Sequence, residues 1–194
     1  MKTYLKFLKK YENLSTQKSG LTITVSGLSG SGKTTVAKEI AKAFKLKLVN
    51  AGDLSREYAT KNKMTLDEMS KALPPKIDYQ IDKMLLDLAQ RGGHVLVARL
   101  SAWVAGDWAD CRVFVQCNKK IRHQRVAERE GLSLLRAKVK IENRDYGDYQ
   151  RYRKLYDIDI NDKNIYNLII NNNQISLEEL KRETVKKIKN FLKK

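Results

Sequence analysis

The stretch from Gly27 to Thr35, GLSGSGKTT, packs three glycines, one lysine and two threonines into nine residues. Gly27, Leu28, Ser29, Gly30, Ser31, Gly32, Lys33 and Thr34 satisfy the full G-x-x-x-x-G-K-[ST] pattern, and Thr35 extends it. Small residues let successive backbone N–H groups curl around an anion, and a following helix adds its positive dipole end. Lys33 then reaches the β and γ oxygens of a nucleoside triphosphate, and Thr34 offers a hydroxyl to Mg²⁺. An ordinary strand-to-helix turn is the competing reading, and the complete pattern argues against it. The loop says nothing about what accepts the phosphoryl group.

Three further stretches speak to the acceptor. In AGDLSR, Arg56 lies one turn into the element after the second apolar run, where ligands of an open α/β sheet collect. A surface arginine on an amphipathic helix would read the same way. Arg99 ends the run VLVA. A charge just past an internal strand costs desolvation unless something anionic meets it, either a bound phosphate or an internal carboxylate. The third is a series, Arg122, Arg125, Arg129, Arg136, Arg144, Arg151 and Arg153. Within it Arg144, Asp148 and Arg151 are spaced four and three and so share one helix face. They suit phosphates and a nucleoside, or else ion pairs on a solvated helix. Phosphoryl transfer is mostly positioning plus charge neutralisation, and arginine is always charged and binds phosphate bidentately.

These residues need a frame. LTITVS, KLVNA, HVLVAR, CRVFVQC and IYNLIIN read as strands that alternate with helical segments. That pattern implies parallel pairing through right-handed crossovers. The expected fold is α/β, a P-loop NTPase with a doubly wound five-stranded parallel sheet. Pro74-Pro75 breaks the chain ahead of a helix whose stripe at Ile77, Ile81, Met84/Leu85 and Leu88 reads as core, and Gly92-Gly93 ends it. Thr65–Glu68 and Ser176–Glu179 read as capping boxes. Asn118 caps the helix after the fourth strand, Gly131 stops it, and Ser133 opens a long basic helix reaching about Tyr156.

Within 194 residues this makes one domain over 21–194, preceded by a basic extension over 1–20. Lys and Arg number 39 against 22 acidic residues, a net charge of +17. That excess favours phosphates, nucleotides, nucleic acid or an anionic membrane face. No apolar stretch approaches bilayer length, and the N-terminus lacks a signal-peptide core. Cys111 and Cys117 make neither a disulfide framework nor a four-ligand metal site, and fit free thiols in a reducing cytoplasm. His94 and His123 are lone histidines of structural or surface type, and no protein nucleophile is evident.

GLSGSGKTT, AGD-x-x-R at Ala51–Arg56, RLSAW at Arg99–Trp103, RVAEREG at Arg125–Gly131, RDYGDYQRY at Arg144–Tyr152 and YDIDINDKNIYNLIIN together resemble the nucleoside monophosphate kinase family, and within it the archaeal-type cytidylate kinases. The resemblance runs from about Leu21 to the C-terminus. Its most discriminating part is the R-D-x-x-D-x-x-R arrangement. It implies ATP and Mg²⁺ on the loop at Gly27–Thr35, with Thr34 toward the metal. It implies an acceptor segment over about 53–92 and a lid over about 125–155. Asp53, Arg56, Arg99, Asp148 and Arg151 would hold the acceptor, CMP and also dCMP. Lys33, Arg125, Arg129, Arg144 and Arg151 would serve the transfer. The family further implies a cytoplasmic monomer, with nucleic acid a secondary partner and no membrane. Relatives of this type often carry an acidic residue and a glycine just before the arginine of the third strand; Val97 and Ala98 stand there here. AMP, UMP, shikimate and dephospho-coenzyme A are alternative acceptors on the same fold. A P-loop RNA-binding or ribosome-assembly ATPase is the alternative from another class.

Overall fold

The computed structural model describes residues 9–10, 18–64, 68, 74–173 and 176–193. The first strand, β1, is Thr22–Ser26. The glycine loop follows, then helix α1 (Lys33–Phe44), β2 (Lys47–Asn50) and α2 (Ala51–Lys61). Next come α3 (Pro75–Arg91), β3 (His94–Val97) and the short α4 (Ser101–Ala105), which runs into a 3₁₀ turn at Gly106–Trp108. The chain continues through β4 (Cys111–Gln116), α5 (Lys119–Glu130), α6 (Leu134–Tyr156), β5 (Leu168–Asn171) and α7 (Leu177–Leu192). All pairings are parallel, in the order β2-β3-β1-β4-β5. Chain order therefore reverses around β1, which aims the loop after β1 into the crevice beyond the strand ends.

Alternation along the strands sorts the two faces. Ile23 and Val25 of β1, Val95 and Val97 of β3, and Val113 and Val115 of β4 are buried with Val36 and Ile40 of α1 and Leu180 and Ile188 of α7. Leu96 faces the opposite layer, where Leu85, Leu86 and Ala89 of α3 and Val104 of α4 meet Tyr156. On that side β1 presents Thr22, Thr24 and Ser26, all fully buried. The Thr22 hydroxyl donates to the Ala89 carbonyl at 3.0 Å, and the Ser26 and Ser101 hydroxyls lie 3.0 Å apart. Small side chains bring the α3–α4 layer close, and these contacts satisfy two of the three hydroxyls.

Local signals fix the helix ends. Asn118 accepts from the Ile121 N–H, Ser133 from Arg136 and Ser176 from Glu179. Gly131, with φ 63°, turns α5 into α6. The capping box at Thr65–Glu68 and most of the 1–20 extension rest on residues outside those described. Of that extension, Lys18 donates to the Trp108 carbonyl and to Asp110 at 2.6 Å, while Ser19 bonds Arg91. Asp110 and Arg91 lie just before β4 and β3, so the extension joins the domain on the side opposite the crevice.

Three expectations change. The third strand stops at Val97, and Ala98–Leu100 bend toward α4, whose five residues are too few to show a helical period. Ala51 starts α2 instead of ending β2. The fifth strand is only Leu168–Asn171, because at Asn167 the side-chain Oδ1 takes the Arg112 N–H at 2.8 Å. On α3 the stripe packs as expected, Leu85 buried with Ile81, Met84 and Leu88 partly buried against the same core and Ile77 against Ala59, but the buried side also takes in Asp78, Asp82, Leu86 and Ala89. Two carboxyl side chains thus share a buried helix face with core leucines.

Gly27 seats the loop on the sheet. Its φ is 150°, and a Cβ there would come within 2.6 Å of the Val115 carbonyl oxygen. Gly27→Ala should therefore cost about 1–3 kcal/mol of stability, read as a lower urea midpoint at unchanged m-value. A variant as stable as the parent would show that this close approach is not needed.

Candidate active site

The loop opens into a cleft of about 660 Å³ beyond the carboxyl ends of the strands. Its lining includes Ser29, Gly30, Gly32, Lys33, Thr34 and Thr35 of the loop and α1, Arg56, Ala98, Arg99 and Arg144, and Arg125 and Arg129 of α5. Gly27, Leu28 and Ser31 shape the loop from beneath and do not line the cleft. Lys33 folds back and donates to the Leu28 carbonyl at 2.8 Å. Burial, then the Arg99 and Arg144 charges, push its pKa well below the ordinary lysine value. An anion in the cleft would reverse that effect.

Arg99 lies in the bend just past β3, with its side chain 9% exposed, and internal carboxylates meet it. Its Nη1 donates to Asp145 Oδ1 at 2.9 Å, its Nε lies 2.5 Å from Asp148 Oδ2, and its Nη2 donates to the Ser29 hydroxyl at 2.6 Å. Arg122, 3% exposed, donates to Asp145 Oδ2 at 2.6 Å and to the Ser29 carbonyl at 2.8 Å. The Ser29 N–H points to Asp145 Oδ1 at 3.3 Å. One carboxylate thus joins the phosphate loop, the end of β3, α5 and α6. Burial raises the Asp145 pKa, but Arg99 and Arg122 outweigh it, and the net shift is below the ordinary carboxylate value. At Asp148 burial prevails over Arg99 and Arg144, and its pKa rises.

The remaining predicted residues sort by place. Arg144 lines the cleft without a hydrogen bond or ion pair among the described residues. Its pKa is lowered, first by burial and then by Arg99. Arg125 donates to Asn172 at 3.2 Å, and Asn172 donates to the Ser31 carbonyl at 2.8 Å, so β5's end braces the loop. Arg129 pairs with Glu130. Asp53 and Arg56 pair with each other at the surface, and Asp53 is not part of the cleft lining. A second cavity of about 90 Å³ shares Gly52, Ala98, Arg99 and Arg144 with the cleft. Asp148 and Arg151 line it, as the shared helix face anticipates, and Arg151 pairs there with Asp78. Val97 is 1% exposed in the sheet core, and Ala98 lies between the two cavities. Arg122 and Asp145 stood in the arginine series and in the R-D-x-x-D-x-x-R arrangement without a role of their own, and Asn172, Asp78 and Asp82 were not anticipated as site residues. Only the last two carried a readable signal, two acidic residues four apart just ahead of Leu85 and Ala89.

Among the described residues no cluster of three or more His, Cys, Asp or Glu could hold a metal. The cleft is cationic, so Mg²⁺ fits it only as a cation carried on phosphate oxygens with the Thr34 hydroxyl beside it.

Burial ranks the ion pairs. Asp145→Asn leaves two buried arginines short of charge and should cost about 3–5 kcal/mol of unfolding free energy. Asp53→Asn, which breaks an exposed pair, should cost about 1 kcal/mol or less. Urea melts of both variants check this; equal losses would mean the buried network contributes nothing special.

A family model described as AAA domain matches residues 23–150. The chain is 42% identical to the cytidylate kinase of Pyrococcus horikoshii, covering 83% of this chain and 84% of that protein. It is 40% identical to the cytidylate kinase of Archaeoglobus fulgidus, covering 86% and 97%. Among solved structures, a gluconokinase from Sinorhizobium meliloti superposes with a TM-score of 0.61 at 15% identity, covering 91% of this chain and 96% of that one. Shikimate kinase from Acinetobacter baumannii gives 0.58 at 16%, covering 89% and 95%. These two share the fold; the archaeal relatives show the family. The chain belongs to the cytidylate kinase family of P-loop proteins.

Proposed function

We propose that the protein transfers the γ-phosphoryl group of ATP to CMP, and to dCMP as a second acceptor, giving ADP and CDP or dCDP. Family membership supports the kinase chemistry. The observation that carries the reading is the shared cleft, lined by the phosphate loop together with Arg56, Arg99 and Arg144. Donor and acceptor phosphates then meet in one cationic space, as in-line transfer requires.

An oxygen of the CMP phosphate attacks the γ-phosphorus, the bond to the β,γ-bridging oxygen breaks, and ADP leaves with the electron pair. No side chain becomes covalently attached. Loop N–H groups and Lys33, released from Leu28, hold the β and γ oxygens. Arg125, Arg129 and Arg144 neutralise the transferring group from the α5–α6 side. Arg56 and Arg99 hold the acceptor phosphate, with Asp53 orienting Arg56. Asp148 and Arg151 take the nucleoside. Thr34 would help hold Mg²⁺, which would supply charge neutralisation to the nucleotide phosphates. The α5–α6 hairpin acts as a lid that excludes water. A cytoplasmic monomer acting on free nucleotides fits this reading. Among the described residues no helix is long and apolar enough to cross a membrane.

ADP release measured with CMP, dCMP, UMP, AMP, shikimate and dephospho-coenzyme A tests the proposal. CMP and dCMP should stimulate release by about a hundredfold or more over water, and Lys33→Ala should lower turnover by about 10²–10³ with every acceptor. Turnover with another acceptor and none with CMP would refute it.

A further inference from the structure

Arg125 differs from most arginines around the cleft in how it is held. Arg99 and Arg122 pair with Asp145, Arg129 with Glu130 and Arg56 with Asp53. Arg125 lines the same cleft, yet both of its hydrogen-bond partners are uncharged. Its Nη2 donates to Asn172 Oδ1 at 3.2 Å, and its Nη1 donates to Cys117 Sγ at 3.5 Å. Burial pushes the Cys117 thiol above its ordinary value despite the Arg125 charge, so that group stays neutral.

Asn172 is itself fixed on three sides. It follows β5, is 4% exposed, and its N–H donates to the Gln116 carbonyl at 2.8 Å, which continues the ladder from β4. Its Nδ2 donates to the Ser31 carbonyl at 2.8 Å while its Oδ1 receives Arg125. An amide offers a donor and an acceptor on separate atoms, and here each atom has its partner. The packing is close: a Cβ on Gly32 would clash with Asn172 Nδ2 and stand 3.7 Å from Arg125 Nη1. The guanidinium is thus lodged beside the last glycine of the loop, where α1 begins.

A long cationic side chain loses rotamer freedom when it grips a ligand, and a contact already made removes part of that cost. A carboxylate in the place of Asn172 would order Arg125 too, but it would also cancel its charge. A neutral oxygen orders without cancelling. Its hydrogen bond is weaker than one to an anionic oxygen, so a phosphate can take it over.

We propose that Asn172 is a positioning residue of the transfer site: its amide fixes Arg125 against the phosphate loop while leaving the guanidinium charge whole for the donor phosphates. The inference rests on the kinase reading above and adds to it the residue that orders one of its cations. Asn172 acts through Arg125, not by contact with nucleotide.

The test is a double-mutant cycle on Asn172 and Arg125, read as the dissociation constant for ATP and as kcat/KM for ATP at saturating CMP. Asn172→Ala should weaken both by about tenfold, the worth of one hydrogen bond, and leave the KM for CMP within about twofold. Arg125→Ala should weaken both by about 30-fold, the worth of a hydrogen bond to a charged group. The double variant should lie within about twofold of Arg125→Ala, because Asn172 has nothing left to position. Asn172→Asp keeps the size of the side chain and still engages Arg125, but pairs its charge, and should weaken both by about tenfold or more. It serves as an independent test should Asn172→Ala fold poorly. Losses that multiply in the double variant would make Asn172 a brace for Ser31 alone and overturn the inference. ATP affinity and turnover equal to the parent's in Asn172→Ala or Asn172→Asp would overturn it as well. Absence of CMP turnover in the parent refutes the kinase reading alone, because the ATP dissociation constants still decide on Asn172.

Discussion

Charge balance at the base of the cleft is the constraint on which the site depends. Lys33, Arg99, Arg122 and Arg144 crowd one partly buried region, and like charges there repel without a counter-ion. Asp145 answers most of this, receiving Arg99 on one oxygen and Arg122 on the other. Asp148 takes the remaining face of Arg99. With both carboxylates in place the arginines can be held rigidly and still present a net positive field to the cleft. Preorganised charge of this kind stabilises a phosphoryl transition state without reorganisation at the moment of reaction.

The same network ties together parts that could otherwise move separately. Ser29 of the loop is gripped at its N–H, carbonyl and hydroxyl by Asp145, Arg122 and Arg99. Arg99 comes from the bend after β3, Arg122 from α5 and Asp145 from α6. The glycine loop, the arginine after β3 and the base of the helical hairpin therefore share one junction. Asn172 adds a brace from the end of β5 through the Ser31 carbonyl. Reversal of chain order at β1 makes this convergence possible, because β3 and β4 flank it and deliver their following segments to the same edge.

What was legible in the sequence was local. The loop announces itself because glycine spacing and a lysine encode a backbone shape within eight residues. Asn118, Ser133 and Ser176 announce helix starts because each cap reaches only three residues ahead. The shared face of Arg144, Asp148 and Arg151 follows from helix geometry alone. What was illegible depends on tertiary contact: Arg99 and Asp145 are 46 positions apart, and Ser29 and Asp145 are 116 apart. For Arg99 the sequence left a phosphate or an internal carboxylate as the required anion, and without nucleotide the carboxylates fill that role. On α3 the apolar stripe did mark core packing, with Leu85 buried and Ile81, Met84 and Leu88 packed against the same cluster, but it gave no hint that two carboxyl side chains join them. Asp78 and Asp82 lie on the buried side of α3 and line the smaller cavity.

The account stands on Asp145 being an ionised partner of two buried arginines in the protein without nucleotide. Its stabilising effect is then fully present above the ordinary carboxylate value of 3.8 and is lost only as pH falls through its lower folded value. Titration of the Asp145 side-chain carboxyl carbon by NMR in the nucleotide-free protein reads this directly. The account predicts a midpoint below 3.8, the ordinary value, with the amide signal of Ser29 shifting along the same curve. A midpoint at or above 3.8, or a Ser29 signal indifferent to it, would contradict the claim that this carboxylate holds the site together.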